Sequence, residues 1–168
     1  MIMSPWTSDV DYSSIEAGVY RAMDILGYTT NTAIICDSGI EPSVVFNMVK
    51  KNYPAHLYTG GVQKYMYYGK PSYSDLPSDV YSQERDGALT WLQQGGIIVT
   101  HTRLFVGMES DNIIWVTRLM GGRVVARSNV MRAVSRLVIV TNSDTVKTDA
   151  VKKYFTLETI GNVDINNK

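Results

Sequence analysis

Two side chains with acid–base chemistry follow one predicted strand of this sequence. His101 comes just after the apolar run at residues 97–99, and Glu109 stands a few residues further along the chain. A histidine and a carboxylate at strand ends could serve as general base and general acid in a small-molecule enzyme. A lone polar histidine in such a place is more often a hydrogen-bonded loop residue. Both interpretations stay open at this stage.

Short motifs for the common catalytic and nucleotide-binding sites are missing from the sequence. It contains no G-x-x-x-x-G-K-[ST] phosphate loop, no G-x-S-x-G elbow, no H-E-x-x-H and no C-x-x-C. Gly95 and Gly96 lead into a predicted strand, whereas a dinucleotide fingerprint leads out of one. The single cysteine, Cys36, lies in an apolar run, which predicts a buried and inert thiol. We therefore expect no metal centre and no disulfide framework.

The charge of the chain is balanced overall but uneven locally. Sixteen basic residues match sixteen acidic ones, so net charge does not favour nucleic acid or a membrane surface as a partner. Residues 112–143 contain no acidic side chain. Either an anion-binding face or a set of solvated and paired arginines would explain the basic residues of this segment, which are Arg118, Arg123, Arg127, Arg132 and Arg136.

Hydropathy predicts an intracellular protein. No segment approaches the roughly 18 consecutive apolar residues that a membrane span requires. The amino-terminal residues have neither the basic region nor the apolar core of a signal peptide. We expect a cytoplasmic location and no membrane partner.

Three short apolar runs form the centre of the predicted fold. Residues 97–99, 113–116 and 137–140 are nearly continuous in β-branched side chains, as in strands that are covered on both faces of a parallel sheet. Between the second and third runs, apolar residues recur at helical spacing over residues 128–136. This pattern predicts a strand, a crossover helix and a strand, which is the repeating unit of α/β folds.

The same reasoning predicts an alternation of helices and strands along the whole chain. Residue 78 is expected to cap its helix, and Leu92 to face inward. The further elements are helices at 13–26, 42–52, 78–94 and 144–154, and strands at 32–37, 55–59 and 155–160. The predicted fold is a three-layer α/β/α sandwich with a mainly parallel sheet of about five strands. A lead-in at 1–11 precedes the single domain at 12–162, and a flexible tail follows at 163–168.

Tyrosines are concentrated in a segment that also contains structure breakers. Gly69, Pro71 and Pro77 predict an irregular surface excursion over residues 63–77. Its aromatic side chains could form a protein-contact surface, or they could fold back over the edge of the sheet. The candidate interaction residues are Tyr65, Tyr67, Tyr68 and Tyr73.

Two short motifs support a family resemblance over residues 32–141. Phe105-Val106-Gly107-Met108-Glu109 precedes one apolar strand, and Met131-Arg132-Ala133-Val134 precedes the next. Their order resembles motifs V and VI in the second, carboxyl-terminal RecA-like domain of superfamily 1 helicases of the Upf1-like and UvrD-like group. Val106, Met131 and Val134 depart from the residues usual in that family, so the resemblance is to a degenerate domain.

The resemblance implies a RecA-like fold without a phosphate loop. It further implies that Arg132 reaches nucleotide phosphates, and that Gly107, Glu109 and Arg136 belong to the same cofactor-binding set. The implied partner is a phosphate-loop RecA-like domain in the same or another chain, and nucleic acid is a further implied partner. ATP and magnesium would be cofactors only with that partner domain. Two alternatives are a protein-interaction module with relic motifs and the enzyme with His101 and Glu109.

We predict that the purified chain, supplied with magnesium and ATP, releases no phosphate above a blank. The reason is that an arginine can stabilise phosphoryl charge only where another group binds the phosphates and the metal. A phosphate-release assay measures this directly. Turnover that survives further purification, and that is lost when a residue of this chain is changed, would contradict the prediction.

Overall fold

The computed structural model describes residues 2–4, 12–27, 31–36, 40–67, 70–102, 104–105, 109–117, 133–142 and 158–159. None of the helices in these ranges has the length and apolar character needed to cross a membrane. In chain order the elements are β1 (Ile2–Ser4), α1 (Tyr12–Leu26), β2 (Thr32–Cys36), α2 (Pro42–Val49), β3 (Ala55–Tyr58), β4 (Val62–Tyr67), β5 (Lys70–Asp75), α3 (Ser78–Gln94), β6 (Ile97–His101), β7 (Ser110–Val116), β8 (Ala133–Asn142) and β9 (Glu158–Thr159).

A parallel sheet forms the middle of the molecule. Its strand order is β3-β6-β2-β7-β8-β1-β9, and every pairing in it is parallel. Strands β4 and β5 form a separate antiparallel hairpin. The predicted α/β class is confirmed, and the arrangement is consistent with a RecA-like sandwich. The five strands β3, β6, β2, β7 and β8 form the predicted parallel sheet, and in the described residues the short strands β1 and β9 extend it beyond β8.

One face of the sheet is covered by α1 and α2. Buried Ile15 and Val19 of α1 pack in one cluster with Val45 of α2 and with alternate strand residues such as Ile34 and Ile114. Alternate residues of a strand point to the same face, which explains why the helical stripe meets every second strand position. The apolar residues whose spacing predicted α1 are therefore the residues that pack this helix against the sheet.

Helix α3 covers part of the opposite face. His56 of β3 lies against α3 at Gly87, where an added Cβ would come within 3.0 Å of the His56 Nδ1 atom. His56 alternates with Ala55 and Leu57, which pack against the α1–α2 cluster. Successive strand residues point to opposite faces, so α3 lies on the other side of the sheet from α1 and α2. The described elements thus form the three layers that the sequence predicted.

Strand β8 begins earlier than the sequence suggested. The helix predicted at 128–136 is wrong for residues 133–136, which are extended and pair with β7. Residues 128–132 lie outside the described ranges. Apolar spacing over this short stretch fits a helix or a strand equally well, and pairing of Arg136 with Asn112 supplies the backbone hydrogen bonds that favour the strand.

The tyrosine-rich segment is regular structure and not an irregular excursion. Residues 62–67 pair with 70–75 along the whole hairpin. Pro71 suggested a break, but a proline is tolerated in a strand with a free edge because the missing N–H need not face a partner. A two-stranded hairpin leaves each strand with such an edge.

Several smaller expectations also need correction. The cap residue of α3 is Pro77 and not Ser78, no side chain caps the helix, and Leu92 is 53% exposed where it was expected to face inward. Residues 2–4, expected in the lead-in, form β1 beside β8. The three apolar runs, expected to lie side by side, are strands and are buried except for the partly exposed Leu137, but β2 separates β6 from β7.

We predict that Ile114→Ala lowers the free energy of unfolding by about 2–5 kcal/mol, the usual cost of removing a large aliphatic side chain from a packed core. Ile114 is fully buried in the centre of the sheet. The matched control is Leu89→Ala on α3, where the side chain is 49% exposed and the change should stay within about 0.5 kcal/mol. Urea unfolding of both variants measures the difference. Equal losses would contradict the observed burial.

Candidate functional site at the carboxyl edge of the sheet

The carboxyl ends of the central strands lie at one level. Cys36 at the end of β2 pairs with His101 on one side and Val116 on the other, and Val116 pairs with Val140. The chain leaves β2 toward β3 and leaves β7 toward β8, which lie in opposite directions along the sheet. Connections that diverge from two adjacent strands open a crevice there, and ligands of α/β sheets bind in such crevices.

Hydroxyl groups and an imidazole line this edge. The Thr100 hydroxyl donates to the Tyr58 carbonyl oxygen over 2.8 Å and is nearly fully buried. His101 is partly exposed, and its Nδ1 atom lies 3.4 Å from the Thr102 hydroxyl. Thr117 follows β7 and is 1% exposed, with its N–H donating to the Val140 carbonyl oxygen at 3.0 Å. The edge therefore carries neutral polar groups held by the strands themselves.

A compact turn holds His101 beside the end of β2. The Thr102 N–H donates to the Cys36 carbonyl oxygen at 3.2 Å, and the Leu104 N–H donates to the His101 carbonyl oxygen at 3.0 Å. Phe105, 1% exposed, then packs near Trp91 of α3 with ring centroids 6.4 Å apart. The buried phenylalanine anchors the turn, so the position of His101 is set by core packing.

A carboxylate from α3 secures the end of β3. Glu84 accepts hydrogen bonds from the Thr59 hydroxyl at 2.7 Å and from the Thr59 N–H at 3.3 Å. Both residues are partly buried. Charge-assisted bonds of this kind are stronger than neutral ones, so the contact ties the start of the hairpin to the helix. Sequence reasoning missed this pair, because 25 residues separate the partners and no motif marks either one.

Two glycines let other elements approach the turn after β3. Gly60 has φ +72°, and an added Cβ would lie 2.9 Å from the Leu104 side chain. Gly61 has φ +90° and lies against the Tyr81 ring of α3. The turn before the hairpin is therefore in contact with both α3 and the turn that carries His101.

The residues carried over from the helicase resemblance lie elsewhere. Glu109 is exposed and precedes the first residue of β7, and Arg136 is exposed beside Asn112. Both are near the amino ends of their strands. Gly107 and Arg132 lie outside the described residues, so their predicted roles stay predictions.

His101 and Glu109 do not share one site. His101 is level with Cys36, whereas Asn112 is level with Thr32 at the other end of β2. Four residue steps along a strand span about 13 Å, and Glu109 lies before Asn112 in the chain. The structure thus places the imidazole and the carboxylate toward opposite edges of the sheet.

The tyrosine candidates are divided by the hairpin register. Tyr73 is 67% exposed and lies opposite position 64, whereas positions 65 and 67 pair with 72 and 70. Positions 65 and 67 therefore belong to the other face of the hairpin from Tyr73. Tyr68 lies outside the described residues. By register, Tyr73 therefore does not share a surface with positions 65 and 67.

No model of a known protein family matches the chain, and no curated protein matches it significantly. Among the described residues, no group of histidine, cysteine and carboxylate side chains could hold a metal ion. The helicase resemblance consequently rests on the two sequence motifs alone and stays a prediction.

We predict that Glu84→Ala lowers the free energy of unfolding by about 1–3 kcal/mol, since it leaves the partly buried Thr59 N–H and hydroxyl without their acceptor. Hydrogen exchange should speed up at Thr59 and at Leu76, whose N–H donates to the Gly61 carbonyl oxygen. Glu84→Gln keeps an acceptor oxygen and should recover part of the loss. Unchanged exchange at both amides would show that the carboxylate does not hold the turn.

Proposed function

We propose that this chain supplies one half of a nucleotide-binding cleft and is inactive as an ATPase by itself. In this proposal it acts as a helicase-like, carboxyl-terminal RecA-like domain or regulatory module of a larger intracellular ATPase. The observation that carries the proposal is the strand order, in which the connections after the adjacent strands β2 and β7 lead in opposite directions along the sheet, with the His101 turn on the other side of β2. This is the place where an α/β sheet of this kind receives its ligand.

The course of the chain from β6 to β7 supports the family resemblance. The motif predicts a strand, a loop with phenylalanine and Gly-x-Glu, and a second strand. In the described residues, β6 and β7 are parallel, β2 lies between them, and the buried Phe105 packs near α3. Glu109 then directly precedes β7.

The carboxyl edge carries uncharged hydrogen-bonding groups that could bind an anion. Thr102 and His101 are partly exposed and offer a hydroxyl and an imidazole, while Glu84, the nearby acid, is held by Thr59. Such groups can orient phosphate oxygens, but they do not supply magnesium ligands. The missing part of the cleft is then the phosphate loop of a partner domain.

We predict weak but localised binding of magnesium-ATP to the isolated chain. A dissociation constant near or above about 1 mM, equivalent to about −4 kcal/mol, is expected because half of the contacts are missing. Amide chemical shifts recorded by NMR during a titration measure both affinity and location. The largest changes should fall on His101, Thr102 and Thr117.

The variant His101→Ala should reduce these shift changes, whereas Glu109→Gln, at the amino end of β7, serves as a matched control for the carboxyl edge. Equal reduction by Glu109→Gln would favour the carried-over residue set over the strand-end crevice. Shift changes confined to the hairpin, or none at all at millimolar nucleotide, would overturn the proposal.

A second candidate is a protein-interaction module that uses the β4–β5 hairpin. Its supporting observation is the exposed face that carries Val62, Tyr73 and Asp75, with 39% exposure at Val62 and 67% at Tyr73. Exposed aromatic and apolar side chains are common in contact surfaces. A partner whose binding is lost on Tyr73→Ser, with no response to nucleotide, would favour this reading.

A further inference from the structure

A shallow depression lies where α2 ends and β3 begins, far along the chain from the His101 turn. It encloses about 470 Å³ and is open to solvent. Its lining includes two aromatic rings and two ammonium groups, contributed by Phe46, Tyr53, Lys50 and Lys51. Neither the proposed cleft nor the hairpin uses this surface.

Hydrogen bonds hold one wall of the depression in a defined shape. The Tyr20 hydroxyl donates to the Met48 carbonyl oxygen at 2.6 Å and accepts from the Asn52 side-chain amide at 2.9 Å. The Tyr20 and Tyr53 rings pack with centroids 6.2 Å apart. A surface with this support loses little freedom on binding, which favours affinity.

The depression carries positive charge. The Lys50 ammonium lies 5.2 Å from the centre of the Phe46 ring, and Lys51 is exposed. In the ranges that the structure describes, neither lysine has a carboxylate partner. Positively charged lysines at the carboxyl end of a helix also complement the helix dipole, which accounts for the sign of their charge. It does not account for the aromatic depression between them and β3.

The neighbouring strand offers backbone groups to a partner. Strand β3 is at one end of the sheet, pairs with β6 alone among the described strands, and has four partly exposed residues. By contrast, all five residues of β2 are buried. A free strand edge can accept an extended segment of another protein, with side-chain pockets supplying specificity.

We infer that this surface binds an extended acidic segment of a protein partner. The segment adds a strand at the outer edge of β3, and its carboxylates lie against Lys50 and Lys51. An apolar side chain of the segment covers Phe46 and Tyr53. An extended peptide fits better than an enclosed small molecule, because the depression is open and its lining reaches Ala55, the first residue of β3.

The test is fluorescence anisotropy with the whole chain and a fluorescein-labelled Ser-Glu-Ser-Val-Ser-Glu peptide, whose glutamates and valine share one face of an extended strand. The wild-type chain should bind it, and Lys51→Glu should weaken binding by about tenfold, because repulsion replaces attraction at the same carboxylate. The matched control is Arg85→Glu, an equal change of charge at an exposed position on α3. That control should bind the peptide as the wild type does. The same peptide with lysine in place of each glutamate should not bind to the wild-type chain.

Hydrogen exchange provides the second readout. The peptide should slow exchange in β3, at His56 and Leu57, and Lys51→Glu should remove that protection. Circular dichroism checks that both variants remain folded. Equal binding by wild type and Lys51→Glu, or protection confined to other strands, would overturn the inference. A single-stranded oligonucleotide that displaces the peptide and binds more tightly would also overturn it, by identifying a nucleic-acid surface instead.

Discussion

Parallel pairing of β2 with β6 on one side and with β7 on the other is the constraint on which the rest of this structure depends. Each of the five β2 residues is matched in register on both sides, from Thr32 to Cys36. The strand is buried on both faces, so its backbone groups must be satisfied by these two neighbours. A shift by one residue would turn every side chain of β2 to the wrong face.

This register decides where the polar ends of the strands lie. It brings His101 level with Cys36 and Val116, so the polar side chain of His101 lies at the carboxyl edge of the sheet. It also sends Glu109 and Arg136 toward the amino edge. In the functional proposal the contacts with the nucleotide therefore come from the His101 turn, because Glu109 and Arg136 lie toward the other edge of the sheet.

The turn before the hairpin links three parts of the carboxyl edge. Thr59 is bonded to α3 through Glu84, and Gly60 allows close approach of Leu104 from the His101 turn. A ligand that moves the His101 turn would therefore also displace the base of the hairpin through these contacts. The two candidate binding surfaces, at the His101 turn and on the hairpin, are thus connected through the turn before the hairpin.

Much of the secondary structure follows from local pattern. The bounds predicted for α3 agree with the structure, and residues 32–36 and 113–116 are strands as expected. Local pattern failed over residues 133–136, where a short apolar spacing suits either a helix or a strand. It failed also in the hairpin, where Pro71 suggested irregular structure and pairing between 62–67 and 70–75 prevailed.

The candidate site was predictable only in part. A polar residue after a buried strand pointed to His101, since strand ends are where α/β proteins bind ligands. The bond between Glu84 and Thr59 had no sequence signal, because a helix and a turn distant in the chain must first pack together. The separation of His101 from Glu109 likewise depends on the direction of β7 relative to β6.

By itself the sequence determined which segments are apolar, their period, and hence an α/β sandwich with a parallel sheet. Those properties reside in each segment, because burial preference and backbone propensity act over a few residues. The tertiary structure alone decided the strand order, the insertion of β2 between β6 and β7, and the place of β3 at one end of the described sheet. These depend on which strands pair over long distances, and many pairings satisfy the same local pattern until packing selects one.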